Sequence, residues 1–540
     1  MRGHRLLKKN GNLDLIASIQ SELTERDLGI GTKDLVPSIF GGAINFGELV
    51  VRQYLLLSLG GRRLSCALLS SLAHPEAKLV YPMPIQWRMV VEKHGLGLSH
   101  WRCELLWRFY SLALWGYGVV QALRLLSHAS LRSNTPLPCE RYVYFIGLNS
   151  GNLPQREGGG ASHDIVSWYL QWEGRERQIT SVRHGVAGID AIELDGVTVC
   201  SQPSVLPRLA GMHYVIRYLL WGCVAALSSI LSLLRGQCWS ALLMNQAGLR
   251  ALVALAPAEL VAAEYLFHNS EWLYRPLWTY ELESKGSGAS LYFYSTNCER
   301  FKGAQGYPAP HYGYAAMNWP RYLVWDSYQA EFVRRVAGSS SPVVEVGPVW
   351  FSSNSQVLEE RGGRTLALFD VTPFRCSKFC ELGMDNLFYT PEVANAFVRD
   401  VIDLSLQIGV EVLWKRKRNL GRSAHPKYRQ FVDLLEYGKD VRIVAPEISA
   451  VRVIQVSCAV VSMPFTSTAL IAKSIGIPSV YYDPYGIVQR DDRAAHGIQI
   501  LIGRLELECW LKETLLRSCS RSIICHETPS PACPLSGEVA

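Results

Sequence analysis

Residues 458–483 combine hydroxyl side chains with a strand–helix–strand pattern, and the combination predicts an anion-binding site. An apolar strand leads into a Pro-Phe turn, after which Thr466, Ser467 and Thr468 begin a helix. The first amide groups of a helix have no partner within the helix and lie at the positive end of its dipole, so they bind anions well. Phosphate is the anion that we expect here. The alternative is a hydroxyl-capped helix with no ligand.

Basic side chains follow the apolar strand 410–414, in the run KRKR at 415–418. Most of such a run is solvated, and one or two side chains at the end of a strand can reach a phosphate. Lys415 and Lys417 are our candidates. Glu447 opens a later helix, where it could bind a ribose hydroxyl, although stabilisation of the helix N-terminus is the simpler explanation.

One carboxylate is placed where a general base could act. Asp370 ends the strand TLALF, and a carboxylate at the carboxyl end of a strand can deprotonate an acceptor hydroxyl in a cleft. Capping of the following loop is the alternative. No metal site is predicted, because Asp491 and Asp492 lie among arginines and are interpreted as a solvated loop. No phosphate loop of the GxxxxGK[ST] type is present.

The second half of the chain alternates between short apolar strands and amphipathic helices. Five such strands separated by helices predict a parallel, doubly wound sheet. The predicted elements are strand 365–369, helix 391–407, strand 410–414, helix 427–435, strand 441–444, helix 447–456, strand 458–462, helix 466–475 and strand 479–482.

The first half has a similar but less regular pattern, which predicts a second α/β domain with helical insertions. Its candidate strands are 142–147, 177–182, 291–294, 322–325 and 343–346. We therefore predict two Rossmann-like domains that face a cleft. The predicted division is an N-terminal α/β domain at 1–347, a linker at 348–364, a C-terminal Rossmann-like domain at 365–517 and a loose tail at 518–540.

Length and composition describe a large globular protein. At 540 residues the chain exceeds one ordinary core, and 49% hydrophobic and 19% charged residues argue against general disorder. A net charge of +7 favours anionic partners, but no basic, aromatic-interleaved stripe of a nucleic-acid-binding protein is present. The 14 cysteines include no CxxC pair and are interpreted as buried free thiols in a reducing cytoplasm.

Two apolar segments concern the membrane. Residues 218–234 carry no charge and are bounded by Arg217 and Arg235. The length of this segment is at the short limit for a membrane-spanning helix. We expect a buried or membrane-surface helix, because the motifs on both sides look like parts of one site. The stretch 104–125 is similar but contains Arg108. Together they predict peripheral attachment at the inner, cytoplasmic face of the plasma membrane. The basic residues at the start of the chain are followed by no apolar core of a secretory signal.

The string MPFTSTALIAKSIGIPSVYYD resembles the signature of the bacterial polysaccharide-biosynthesis proteins named for a Pro-Phe-Thr-Ser motif. Further fragments resemble the same family, within residues 140–490: RHGVAG, RPLWTYELESKGS, FYSTN, MNWPRYLVWDSYQ and EVGPVWF. The resemblance implies a glycosyltransferase of surface-polysaccharide assembly with the two-domain GT-B arrangement, in which the second domain binds the nucleotide-sugar and the first the acceptor. GT-B enzymes need no metal ion, and no cofactor is expected.

Two histidines lie in dipeptides that resemble motifs of known transferases, and each resemblance implies a role in the site. His425-Pro426 is similar to the His-Pro motif of bacterial sialyl- and Kdo-transferases, which implies that His425 contacts the phosphate of a CMP-sugar and that Ser467 and Thr468 do the same. The alternative is a surface histidine before a helix. His184-Gly185 resembles a motif of CDP-glycerol glycerophosphotransferases, which makes His184 a second candidate base, unless its glycine only makes the turn.

We therefore interpret the chain as a transferase that moves a sugar from a nucleotide-sugar donor, expected to be CMP-linked, to a glycan or lipid-linked acceptor. Two alternatives remain open at this stage: a CDP-glycerol-type phosphotransferase, and a non-catalytic scaffold of a polysaccharide assembly complex that keeps the fold.

Overall fold

The computed structural model describes most of the chain. The described residues are 13–127, 141–154, 164–174, 176–209, 211–268, 274–296, 298–311, 313–349, 358, 364–374, 388–416, 420–421, 423–436, 441–445 and 448–522.

A helical region precedes the first strand. Apolar side chains at helical spacing form one buried core between these helices. Their bounds are α1 Leu13–Glu25, α2 Pro37–Phe40, α3 Gly47–Ser58, α4 Arg62–Ala73, α5 Ile85–Lys93 and α6 His100–Ser127. The region is joined to the sheet that follows, because Nε2 of Gln53 donates to Oδ1 of Asn318 at 2.8 Å.

An eight-stranded sheet forms the first α/β domain. Its strands are β1 Tyr142–Ile146, β2 Ser181–His184, β3 Ile192–Leu194, β4 Val197–Ser201, β5 Glu264–His268, β6 Gly288–Tyr292, β7 Tyr322–Val324 and β8 Val343–Glu345. They lie in the order β3-β4-β2-β1-β5-β6-β7-β8, and all neighbours are parallel except β3 and β4. The helices of this domain are α7 Ile165–Tyr169, α8 Met212–Leu234, α9 Trp239–Leu242, α10 Met244–Leu255 and α11 Ser327–Ala337.

A six-stranded parallel sheet forms the second domain. Its strands are β9 Thr365–Phe369, β10 Glu411–Lys415, β11 Arg442–Val444, β12 Ala459–Ser462, β13 Ser479–Asp483 and β14 Ile500–Ile502. Every residue of β9 and β12 is buried, as expected for strands covered by helices on both faces. The helices are α12 Pro391–Ile408, α13 Pro426–Glu436, α14 Ala450–Gln455, α15 Ser467–Ser474 and α16 Gly503–Ser522.

The strand order β11-β10-β9-β12-β13-β14 is that of a Rossmann fold, with a reversal of chain direction across the sheet between β9 and β12. Ligands of such sheets bind at the carboxyl ends of the strands beside this switch point. The predicted class, two Rossmann-like domains with parallel sheets, is confirmed.

Several details differ from the sequence-based expectation. Most of the N-terminal helices precede β1 and do not interrupt the sheet. The strand β5 was not predicted, because the charged Glu264 and the His268 at its two ends hide an otherwise apolar run. Three cysteines, Cys66, Cys223 and Cys509, are exposed, which corrects the interpretation of buried thiols. Most of the predicted linker and residues 523–540 of the predicted tail lie outside the described residues, and α16 continues to Ser522.

Candidate functional site

The Pro-Phe-Thr-Ser turn connects β12 to α15 at the switch point. Phe465 has a φ of +66°, a left-handed conformation that costs a non-glycine residue about 1–2 kcal/mol. Two tyrosines hold the turn: the Tyr389 hydroxyl donates to the Pro464 carbonyl at 2.9 Å, and the Tyr481 hydroxyl to the Thr466 carbonyl at 2.8 Å. The turn is therefore a fixed platform from which α15 begins.

The helix α15 begins without a side-chain cap. Thr466 occupies the N-cap position, but its hydroxyl donates to the Met463 carbonyl at 2.9 Å and makes no hydrogen bond to the helix amides. The Thr468 hydroxyl lies 2.9 Å from that of Ser462 and 3.2 Å from that of Thr466. The residues 466–468 are half-buried. The capping alternative thus fails for Thr466, and the first amides of the helix keep their capacity to bind an anion.

The third hydroxyl, that of Ser467, meets the first domain. It lies 3.4 Å from the Ser295 hydroxyl and 3.4 Å from the Thr296 hydroxyl, both in the loop that follows β6. The Ser295 carbonyl is held in place by Nε2 of Gln329 at 2.9 Å. The carboxyl ends of the two sheets therefore approach each other at this point, and hydroxyls of both domains surround the start of α15.

The predicted base Asp370 lies on the other side of the switch point, at the end of β9. Its carboxyl is buried and accepts a hydrogen bond from the Tyr428 hydroxyl in the first turn of α13. Burial raises the pKa of Asp370, against the opposing effects of Tyr428, Trp414 and Arg416. The pKa of Tyr428 is raised as well, by burial and by the carboxylate, so that this hydroxyl remains a proton donor.

His425 directly precedes α13 and belongs to the same edge of the sheet. Its backbone N–H donates to the Pro373 carbonyl at 2.8 Å, and its Nδ1 accepts from the Lys427 amide at 3.3 Å. The imidazole therefore caps the helix through Nδ1, while its chain is fixed beside the loop that follows Asp370. Asp370, directly after β9, and His425, directly before α13, therefore lie at neighbouring ends of these two elements.

Lys415 ends β10, the strand next to β9, and is buried; its ammonium group donates to the Arg416 carbonyl at 3.2 Å. The predicted phosphate ligand Lys417 and the predicted ribose ligand Glu447 lie outside the described residues. Among the residues that the structure describes, no group of three or more His, Cys, Asp or Glu side chains could hold a metal ion.

The second candidate base, His184, lies at the end of β2 in the first domain. It is buried, and burial lowers its pKa, which favours the neutral imidazole. Its Nδ1 accepts from the Val186 amide at 3.3 Å, so the neutral ring carries its proton on Nε2. His184 is thus on a different sheet from Asp370, and the two are separate candidates rather than parts of one group.

A set of polar contacts also joins the domains beside the site. Nδ1 of His496 lies 2.8 Å from Oδ2 of Asp326, and the Lys302 amide donates to Oδ2 of Asp492 at 2.8 Å. Arg493 lies over the Tyr307 ring at 3.7 Å and pairs with Glu299. This segment was interpreted as a solvated loop, and that interpretation is wrong for Asp492, which is buried in the domain contact.

The model of one protein family, described as polysaccharide biosynthesis PFTS motif protein, matches residues 225–511. The chain belongs to this family. The predicted resemblance is confirmed, and the match includes the Pro-Phe-Thr-Ser turn, α15 and the hydroxyls of the loop after β6. No curated protein matches the chain in sequence.

Solved structures similar to this PFTS-motif protein share little sequence with it. A UDP-GlcNAc 2-epimerase from Methanocaldococcus jannaschii has 8% identity and a TM-score of 0.34, over 70% of this chain and 92% of that one. The calicheamicin glycosyltransferase CalG4 has 12% identity and a TM-score of 0.33, over 72% and 92%. The wall teichoic acid polymerase TagF has 11% identity and a TM-score of 0.31, over 64% and 70%. The fold assignment rests on the sheet topology of the PFTS-motif protein itself.

Sequence reasoning missed four polar positions of this PFTS-motif protein. Ser295 and Thr296 lie in the fragment FYSTN, which was noted only as a family resemblance, and their position after a strand could have identified them. Tyr428, the partner of Asp370, occupies the first turn of a helix and has no sequence signal of its own. Asp326 likewise follows a strand in VWDSYQ, but only the fold shows that it meets His496.

Proposed function

We propose that this protein is a glycosyltransferase of surface-polysaccharide biosynthesis whose nucleotide-sugar donor binds with its phosphate at the start of α15. The observation that carries the proposal is the uncapped first turn of α15, placed at the Rossmann switch point and surrounded by hydroxyls of both domains. Membership of the polysaccharide-biosynthesis family supports the reaction class.

The chemistry of such a site follows from its charges. When a glycosyl bond to a nucleotide breaks, the leaving phosphate gains negative charge. Amides at the N-terminus of a helix and hydroxyls fixed in advance stabilise that charge without reorganisation, and they need no metal ion to do so. In the proposed complex the Ser467 hydroxyl and the first amides of α15 donate to the phosphate, His425 donates to it through Nε2–H, and Lys415 supplies positive charge from the end of β10.

The same edge of the sheet supplies a candidate base. The raised pKa of Asp370 makes its carboxylate a stronger base than an exposed aspartate. Tyr428 fixes the orientation of one carboxyl oxygen. We propose Asp370 as the group that accepts the proton of the acceptor hydroxyl, with His184, on the acceptor-side sheet, as the alternative. A CMP-linked sugar is the proposed donor, and a glycan or lipid-linked sugar is the proposed acceptor.

A nucleotide-binding experiment tests the phosphate site. Thermal unfolding of the full chain is measured with CMP, CDP, UDP and GDP, for the parent and for Ser467→Ala. A ligand at a hundredfold excess over its Kd stabilises the folded state by about 2.7 kcal/mol. We expect CMP to raise Tm of the parent and to have a much smaller effect on Ser467→Ala.

The matched control is Ser474→Ala, at the opposite end of the same helix, where the hydroxyl only donates to the Ile471 carbonyl at 2.7 Å. It should respond to nucleotide like the parent. If no nucleotide stabilises the parent, or if both variants respond equally, the proposed phosphate site is wrong.

Product analysis then separates the reactions. A glycosyltransferase forms a glycosidic bond, whereas a CDP-glycerol-type phosphotransferase forms a phosphodiester. Nucleotide binding without any product, unchanged by substitution of both Asp370 and His184, would instead indicate a scaffold that keeps the fold.

A further inference from the structure

The helix α8 has an exposed face that is mostly apolar along its length. Its outward side chains recur every three or four residues, so that they form one stripe about 34 Å long, since a helix rises roughly 1.5 Å per residue. Its exposed large apolar side chains are Met212, Ile216, Leu219, Leu220, Val224, Leu227, Leu231 and Leu234. His213 and Arg217 are also exposed, in the N-terminal part of the helix.

The helix α6 lies antiparallel beside α8 and extends this stripe into a two-helix face. Nε1 of Trp115, near the middle of α6, donates to the hydroxyl of Ser229, in the C-terminal half of α8, at 3.0 Å. Near the other end, Ala122 of α6 and Tyr218 of α8 both lie next to Gly248 of α10. Both helices thus pack on α10 with one side and expose the opposite side. The exposed apolar residues of α6 are Trp101, Leu105, Leu106, Phe109, Leu112, Tyr117, Val120 and Leu123.

The charged side chains on the two helices themselves are almost all positive. Arg102, Arg108 and Arg124 lie on α6, and Arg217 and Arg235 lie on α8 or directly after it. Glu104 is the acidic residue of the two helices, and it pairs with Arg108 at 2.7 Å and with Arg88 at 2.5 Å. An apolar centre with aromatic residues and an arginine rim matches the interface of an anionic bilayer, where aliphatic side chains enter the acyl region and arginines meet phosphates.

By length and composition α8 is one helix that could cross a membrane, and the bent pair Pro37–Ser58 and Arg62–Ala73 passes the same test together. The topology argues against a crossing by α8. The chain enters α8 from β4 and leaves it towards β5, and both strands belong to the same sheet. Its inner side is bound to the domain, because the Trp221 indole donates to the Ser38 carbonyl at 2.7 Å and the Tyr218 hydroxyl to the Gly248 carbonyl at 3.2 Å. A crossing would separate these contacts.

We propose that the two-helix face binds the surface of an anionic phospholipid bilayer, with α6 and α8 parallel to the membrane plane and their outward side chains in the acyl boundary. A second copy of the chain is a poorer occupant, because an isologous contact would bring two arginine rims together. Membrane binding by this face is a property separate from the proposed transferase reaction, and its test does not depend on enzymatic turnover.

The experiment uses the full chain and two kinds of vesicle, one of phosphatidylcholine and one of equal parts phosphatidylcholine and phosphatidylglycerol. Co-sedimentation is measured for the parent, for Leu220→Glu with Leu227→Glu, and for Leu434→Glu. Leu220 and Leu227 are 62% and 63% exposed on α8, and Leu434 is 67% exposed on α13, away from this face. Because all three leucines are exposed, the variants should keep the fold, which circular dichroism verifies.

We expect the parent and Leu434→Glu to bind the mixed vesicles, more strongly than pure phosphatidylcholine and less strongly at high salt. The double variant should lose at least about tenfold in binding, since two apolar side chains can no longer enter the bilayer. Absence of binding by the parent, or equal binding by the double variant, would overturn the proposal. A dimer in sedimentation velocity that only the double variant abolishes would also overturn it and assign the face to a second copy.

Discussion

His496 of the second domain places its Nδ1 2.8 Å from Oδ2 of Asp326, the residue that caps α11 in the first domain. The imidazole is buried, with an exposed fraction of 5%, and its backbone φ is +52°, so the contact is held at some cost in backbone conformation. It joins the second domain to the residue that directly follows β7 and Trp325 in the first domain.

We predict that this pair couples the domains energetically. A double-mutant cycle of His496→Ala and Asp326→Ala, followed by urea denaturation, should give a coupling free energy of roughly 0.5–3 kcal/mol. Asp326→Ala alone should cost about 1 kcal/mol more, because it also removes the cap of α11. The exposed pair His74 and Glu76, 3.4 Å apart, is the control and should couple by less than about 1 kcal/mol. A coupling as small as that of the control would show that the pair does not join the domains.

A second prediction concerns the pH dependence of stability at Asp370. Its pKa is raised from the ordinary value of 3.8 in the folded state, so the folded state holds this proton more tightly than the unfolded state does. The associated stability is complete below about pH 3.8 and is lost as the pH rises through the raised pKa. Asp370→Asn should therefore be more stable than the parent at neutral pH, by roughly 1–3 kcal/mol, and equally stable in acid.

The same substitution should remove transferase activity if Asp370 is the base. Denaturation curves at several pH values and a turnover assay measure the two effects separately. An Asp370→Asn variant that is less stable at neutral pH would contradict the burial argument. One that is more stable and fully active would leave the role of the base to His184.

A third prediction separates backbone conformation from packing at Phe465. Its ring lies 4.8 Å from that of Phe301 in the first domain and 5.8 Å from that of Tyr481. Loss of a buried ring costs about 3–5 kcal/mol, and both Phe465→Ala and Phe465→Gly should show this loss. Glycine tolerates the left-handed conformation, so Phe465→Gly should be the more stable of the two by about 1 kcal/mol. The reverse order in thermal denaturation would mean that the turn does not keep this conformation in solution.

A fourth prediction assigns part of the phosphate site to the first domain. Thr296 is buried, and its hydroxyl lies 3.4 Å from that of Ser467. Thr296→Val keeps the shape and removes the hydroxyl, and should weaken nucleotide binding by about 3- to 10-fold, the value of one hydrogen bond. Isothermal titration calorimetry measures the change. Thr24→Val, at a buried threonine of α1, is the control and should leave nucleotide affinity as it is in the parent.

The second domain could be predicted closely because each of its first five strands is a short, mostly apolar run between helices. The predicted strand 365–369 is the observed Thr365–Phe369, and the predicted helix 391–407 differs from Pro391–Ile408 by one residue. The strand Ile500–Ile502 was missed, because three residues give no pattern that distinguishes an edge strand from a loop.

The first domain was predicted less well, for reasons that only the packing reveals. Glu264 is buried within β5, where Arg321 pairs with it at 2.7 Å and the Tyr169 hydroxyl donates to it at 2.7 Å. No local sequence pattern predicts that Glu264 is paired, since Arg321 and Tyr169 come from distant parts of the chain. The hairpin of β3 and β4 could have been found, because its turn is Asp195-Gly196 with positive φ at both residues.

For the site, the sequence predicted which residues lie at strand ends but not which of them meet. Ser467 was predicted from its helix start, whereas its neighbours Ser295 and Thr296 are more than 170 residues away in the chain. The partnership of Asp370 with Tyr428 depends on how α13 packs on the sheet. Residues that form contacts between two domains do not recur at helix or strand spacing in the sequence. Such contacts can therefore be identified only from the folded structure.

The ring of Phe465 belongs to the turn that gives the family its name, and it packs on the first domain while the next residues begin α15. A rotation of one domain against the other would therefore act on Phe465, at the start of the helix that we propose as the phosphate site. The motif thus connects the start of α15 mechanically to the first domain, because the Phe465 ring contacts that domain while its backbone continues into the helix. If the proposed phosphate site is correct, a change in the angle between the domains and a change in phosphate affinity would be coupled through this ring.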